Sequence, residues 1–204
     1  MSGLLGLRGI QKPDINGMYL ASSIVSAAIP LVYGQARITG NLIQFPEQPK
    51  TDTASKVARR MKGTVATNRY FAPVIIGLCE GPIAGIGRVW QDVDDSRDFG
   101  TYYQPQRGWG LLLGTAAQTA WTWIAGAHPD QALNYPHLAY VVNQNLDLPN
   151  GSVPQLGWEI NGLFQVGGLV LDANAADIIT DYLTDVTHGL AWPSAKLADL
   201  TAYR

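Results

Sequence analysis

The chain has 204 residues, 47% of them hydrophobic and only 15% charged, with 22 Gly, 12 Pro and a formal net charge of −2. That length can bury a real core in one large domain or two small ones, and the Gly and Pro content favours short strands and turns over long surface helices. The acidic balance argues against a general nucleic-acid binder, and a single Cys excludes a disulfide framework.

Residues 1–13, MSGLLGLRGIQKP, lack a basic segment followed by a long apolar core, so no signal peptide is expected. Two uncharged spans, 15–36 and 108–129, are broken by Asn16, Ser22, Pro30 and Gln35 and by Gln118 and His128, so neither reads as a membrane-spanning helix. Within 18–45, the stretches IPLVYG, ARIT and NLIQF read as short strands of a meander, punctuated by Pro30, Gly34 and Gly40. Residues 46–68 are polar and basic and read as a long exposed excursion with a helical turn near ASKVARRM. Its cations are most simply a solvated face, with Arg59, Arg60 and Lys62 as candidates for an electrostatic contact.

Strand signals resume at YFAPVIIGLCEG and IGRVWQDV. The acidic cluster Asp92, Asp94, Asp95 and Asp98 lacks the Gly and Glu positions of a calcium-binding loop and reads as a solvated turn. Cys79 sits where a nucleophile elbow would place its nucleophile, but an elbow needs a helix after the turn. Gly81, Gly85, Gly87 and a β-branched run follow instead, which favour a second strand. The contexts of His128, His137 and His188 give no sign of a triad or of zinc spacing, so Cys79 is expected to be a small buried hydrophobe at a strand end. No catalytic residue, metal or cofactor is expected.

The middle of the chain is Trp-rich. With no basic residue among Trp109, Trp121 and Trp123, a nucleic-acid platform is disfavoured, and packing or a subunit interface is the default. A sugar-binding platform, making the chain a carbohydrate-binding adhesin module, is the alternative. HLAYVVNQNLDL and LGWEINGLF then read as strands. Beyond them Asn174 caps a helix, with Asp177 at the capping-box position, one face made of Ala175, Ile178, Ile179, Tyr182, Leu183 and Val186, and Gly189 as a stop. A second helix is expected from Ser194 with Leu197, Leu200 and Thr201 on a stripe; it meets no stop before Arg204, as in the N-terminal part of a longer protein.

Four blocks, IPLVYGQARITGNLIQ, IIGLCEGPIAGIGRVWQD, AQTAWTWIAGAHPDQALNYPHLAYV and DANAADIITDYLTDVTHGLAWP, together resemble the N-terminal region of bacteriophage tail tip attachment proteins of the J type, also called central tail hub or baseplate hub proteins. The resemblance runs from about residue 19 to residue 204. It implies a homotrimeric hub at the distal end of a virion tail, assembled in the host cytoplasm. Distal tail and hub proteins, the tape measure protein and fibre or spike modules would be its partners, and DNA would only pass through it. Family members are usually far longer, and their counterpart of 46–68 is often Gly-rich where this one is basic. The expected fold is mainly β with an α+β portion: a β-barrel-like hub segment over 1–100, an inserted Trp-rich segment over 101–171, and a helical segment over 172–204. Trp109, Trp121, Trp123, Arg59, Arg60 and Lys62 are the interface candidates.

Overall fold

A computed structural model describes residues 28–47, 49–57, 64–91, 101–102, 108–148, 153–154, 156–163 and 173–197. Among the described residues nine strands form two antiparallel sheets: β1 (Gln35–Thr39), β2 (Asn41–Gln44), β3 (Lys50–Val57), β4 (Thr64–Glu80), β5 (Gly85–Gln91), β6 (Thr101–Tyr102), β7 (Trp109–Leu112), β8 (Leu138–Leu148) and β9 (Leu156–Asn161). One sheet has the order β1-β9-β5-β6; the other runs β2-β4-β8-β7, with β3 also paired to β4. Among the described residues both sheets stay open, without the barrel-like closure expected from the sequence.

ARIT and NLIQF form strands as expected, but not as a meander. β1 pairs with β9, whereas β2 pairs with β4, so the chain changes sheets at Gly40. A Cβ there would collide with the Ile76 side chain, so the crossing needs glycine. Of IPLVYG, only an isolated bridge from Tyr33 to Leu163 forms. The polar stretch read as an excursion is largely strand: β3 and the first half of β4 pair antiparallel from Lys50↔Phe71 to Val57↔Thr64. Thr51, Thr53, Thr64 and Thr67 supply the β-branched residues that suit this backbone.

β4 contains Pro73, which has no N–H for a ladder. The β4–β8 register shifts between Ala72 and Val74, and opposite the shift the Asn143 side chain accepts the Asn145 N–H at 2.8 Å. Beyond the bulge, alternation sorts the apolar residues. Val74, Ile76, Ala139 and Val141 meet Trp158, Ile160 and Leu156 of β9 in a core shared by the two sheets. Ile75, Tyr140 and Val142 face the other way. They are covered by Ile124 of the short helix α1 (Thr122–Ala127) and by Trp121, Trp123, Ala132 and Tyr135.

CEGPIAGI links β4 to β5, as the missing helix signal implied, and Cys79 is fully buried in the shared core. Burial, with a smaller push from Glu80, raises its thiol to about 12. The C-terminal helix is α2 (Ala175–Thr184). The second helix expected from Ser194 is a single 3-10 turn, Ser194–Lys196, after which Leu197 is extended; Leu200 and Thr201 lie outside the described residues.

Candidate interface

The three Trp candidates do not form one platform. Trp109, on β7, packs into the shared core and meets Trp158 edge to face at a centroid distance of 5.0 Å. Trp121 and Trp123 lie on the opposite face of the five-stranded sheet, half-buried and 4.7 Å apart at a tilt of 38°. Both pack against the cluster of Ile75, Ile124, Tyr140 and Val142, which suits packing more than ligand stacking. Arg59, Arg60 and Lys62, like Asp92, Asp94, Asp95 and Asp98, lie outside the described residues.

The segment carrying α1 is fixed by polar contacts that no sequence motif announced. Gln118 is buried. Its Oε1 accepts the Gly114 N–H at 2.7 Å, and its Nε2 donates to the carbonyls of Tyr135 at 2.9 Å and Leu138 at 3.0 Å. Gly114 itself is left-handed at φ +84°, in close backbone contact with Gly81. Farther out, Gln44 donates to Gln131 at 3.0 Å, and Glu47 bonds His128 at 2.9 Å and Lys50 at 2.7 Å. Lys50, then His128, hold the Glu47 carboxyl below its ordinary range.

α2 presents the clearest unsatisfied surface. Asn174 caps it as expected, accepting the Ala176 N–H at 2.8 Å. The helix stops at Asp185 rather than running toward Gly189, and the chain folds back so that the N–H groups of Leu190 and Trp192 donate to the carbonyls of Tyr182 and Leu183 at 2.9 and 2.7 Å. His188 bridges Asp181 at 2.8 Å and Asp185 at 3.3 Å, and Tyr33 donates to Asp181 at 2.8 Å, tying the helix to the start of the sheet region. Backbone N–H groups of His188 and Thr187 pull the Asp185 carboxyl down, and desolvation with the Asp181 bond pushes the Tyr33 phenol up. Among the described residues Asp181, Asp185 and His188 are the group whose ligand-type atoms gather within 4.8 Å; their bonds to one another and to Tyr33 make them the cap that holds the helix end. Convergence of His188 with two Asp was not legible in its Val-Thr-His-Gly context.

With that end fixed, the predicted apolar face divides. Ala176 is buried and Ile178 and Leu183 are half-buried, whereas Ala175, Ile179, Tyr182 and Val186 face solvent. The fold-back adds two residues to the same end of the helix: Ile179, Tyr182, Val186, Leu190 and Trp192 are 49–82% exposed. The Lys196 ammonium lies 5.9 Å from the Trp192 ring centroid. The helix expected from the periodicity forms, but its six apolar residues do not share one environment, and Val186 lies beyond its end. Apolar surface of this kind marks interaction sites.

The fold has a likeness among solved structures. In the solved structure of the virion of a native gene transfer agent particle, one chain matches this one with a TM-score of 0.51 at 21% identity. The match covers 88% of this chain and 37% of that one, so this chain spans well under half the length of the chain it matches. At that identity the likeness is one of fold. No family model matches the sequence, and no curated protein matches it.

Proposed function

We propose that this chain is a structural component of a phage-like virion. The observation that carries the proposal is a fold shared, over 88% of its length, with a chain of a gene transfer agent virion. Two properties of the chain agree with a part built to be covered by neighbours: a charged content of only 15% and the apolar face left open on α2.

Within that role, the four sequence blocks favour a finer assignment: the N-terminal region of a tail tip hub protein, three copies of which close the distal end of the tail tube. Distal tail proteins and the tape measure would lie on one side, and fibre or spike modules on the other. A three-fold ring uses heterologous contacts, so each copy would present two different patches. No chemistry is assigned to the chain. Its work would be mechanical, with contacts holding the tip shut until receptor engagement shifts a two-state equilibrium toward an open passage for DNA.

The test is to purify particles from the producing cells and look for peptides of this chain by mass spectrometry, with immuno-gold labelling to locate them. Peptides in the particle with label at the tail tip support both levels of the proposal. Label on the head or shaft removes the hub assignment and leaves the virion role. Particles free of the chain overturn both.

A further inference from the structure

β4 outruns its neighbour. β8 pairs with it only from Tyr70 to Glu80, ending at Leu148 opposite Tyr70, whereas β3 pairs along the other edge from Phe71 back to Thr64. The six pairs from Asp52↔Arg69 to Val57↔Thr64 therefore leave the five-stranded sheet as a two-stranded arm about 20 Å long, with no further strand on either edge among the described residues. A ribbon of two strands is marginal alone in water, so it gains stability from whatever surface it lies on. The arm also carries a charge of its own. Residues 50–69 hold six Lys or Arg and one Asp, a net charge of +5 in a chain of net −2. Lys50 is matched by Glu47 at 2.7 Å and Asp52 stands opposite Arg69, so the excess falls toward the outer end, where Lys56 lies. Residues 108–195 are the complement, with seven Asp or Glu and no Lys or Arg. Among them are Asp130, exposed just after α1, and Asp177, Asp181 and Asp185 on α2 and at its end.

We propose that the arm of one copy of the chain docks on the acidic surface of residues 108–195 of a second copy. Charge chooses this occupant. Two arms repel one another, which disfavours an arm-to-arm pair, and Lys residues on a strand edge guard it against edge-to-edge addition. The outer end is carried away from its own body, because the β3–β4 register runs on past the end of β8. Double-stranded DNA also offers negative charge, but a chain of net −2 is repelled as a whole by phosphate. Arm on body is a heterologous contact, so copies close into a ring or extend in line. Being dominated by charge, the contact weakens as salt screens it. It rests on topology and charge and not on the virion role: a chain whose neighbours in a particle are all other proteins would lack the contact and keep that role.

Sedimentation velocity of the 204-residue chain at about 0.05 M and about 0.5 M salt reads the contact. The expected result is association at the lower salt that is lost at the higher, and that Lys56→Glu weakens by about tenfold or more. A monomer at both, or association that neither salt nor Lys56→Glu weakens, overturns the proposal. Should that variant misfold, carbodiimide cross-linking of the wild-type chain decides, with unlabelled and nitrogen-15-labelled protein mixed. Mixed-isotope peptides joining Lys50 or Lys56 to an acid within 108–195 are expected. Their absence, or links confined to one isotope, overturns the proposal. A monomer that binds double-stranded DNA, with binding lost in Lys56→Glu, overturns it too and assigns the arm to phosphate.

Discussion

Gln118 donates its side-chain amide to the carbonyl of Leu138 at 3.0 Å, where the α1 segment returns into β8. The same side chain accepts the N–H of Gly114 at 2.7 Å, so one buried amide replaces the ladder bonds that both ends of the segment lack. Gln118→Leu keeps the volume but orphans the Gly114 N–H and removes the amide's bond to the Leu138 carbonyl, while the Tyr135 carbonyl still accepts the Leu138 N–H. A loss of about 2–4 kcal/mol in urea unfolding is expected; a loss below about 0.5 kcal/mol would show that water replaces the amide.

Trp158 is the largest fully buried side chain among the described residues, and Trp158→Ala is expected to cost about 3–5 kcal/mol. Its edge-to-face contact with Trp109 should appear in a double-mutant cycle as a coupling of about 0.5–1.5 kcal/mol. Trp121 paired with Trp158, on opposite sides of the sheet, should show none.

The Cys79 thiol, at about 12, stays protonated through neutral pH, and the thiolate is the reactive form. Iodoacetamide at pH 8 should leave the folded protein unlabelled and modify it only in denaturant. Fast labelling of the native protein would reopen a nucleophilic role.

Lys50 and His128 hold the Glu47 carboxyl below its ordinary range. A depressed carboxyl contributes stability that is fully present above the unfolded-state value and is lost as pH falls through the folded-state value. Wild-type stability should therefore decline on acidification below about pH 4.5, and Glu47→Gln should be less stable at pH 7 with a flatter acid limb. Parallel profiles would show that the contact contributes nothing.

Asn174→Ala should lower stability by about 1 kcal/mol through loss of the α2 cap, and Asn174→Asp should retain it.

The apolar strand runs were legible because their periodicity is local: β4, β5, β8 and β9 fall where β-branched and aromatic residues cluster. The Asn174 cap was legible for the same reason. β3 was not, because a Thr-rich strand carries no apolar alternation and its polar residues resemble those of a loop. Strand partners were also hidden, since IPLVYG, ARIT and NLIQF suggest a meander only when neighbours in sequence are assumed to pair. The outward turn of Ile179, Tyr182 and Val186 was beyond reach, because helical spacing defines a face without defining what covers it. Gln118 gave no signal, as a lone Gln acquires meaning only from carbonyls brought to it by the fold.

The change of sheet at Gly40 sets how the chain must fold. β1 finds its partner 126 residues away, as Gln35 beside Asn161, while β2, one residue past Gly40, pairs into the other sheet. Neither sheet is complete until distant parts of the chain have met, so loop-closure entropy is lost before most contacts form. Folding is expected to be slow, in the range of milliseconds to seconds, and the two sheets should form and melt together. Cutting the chain before β9 would strand β1 and unroof the core, so the smallest independently folding piece extends at least through Asn161.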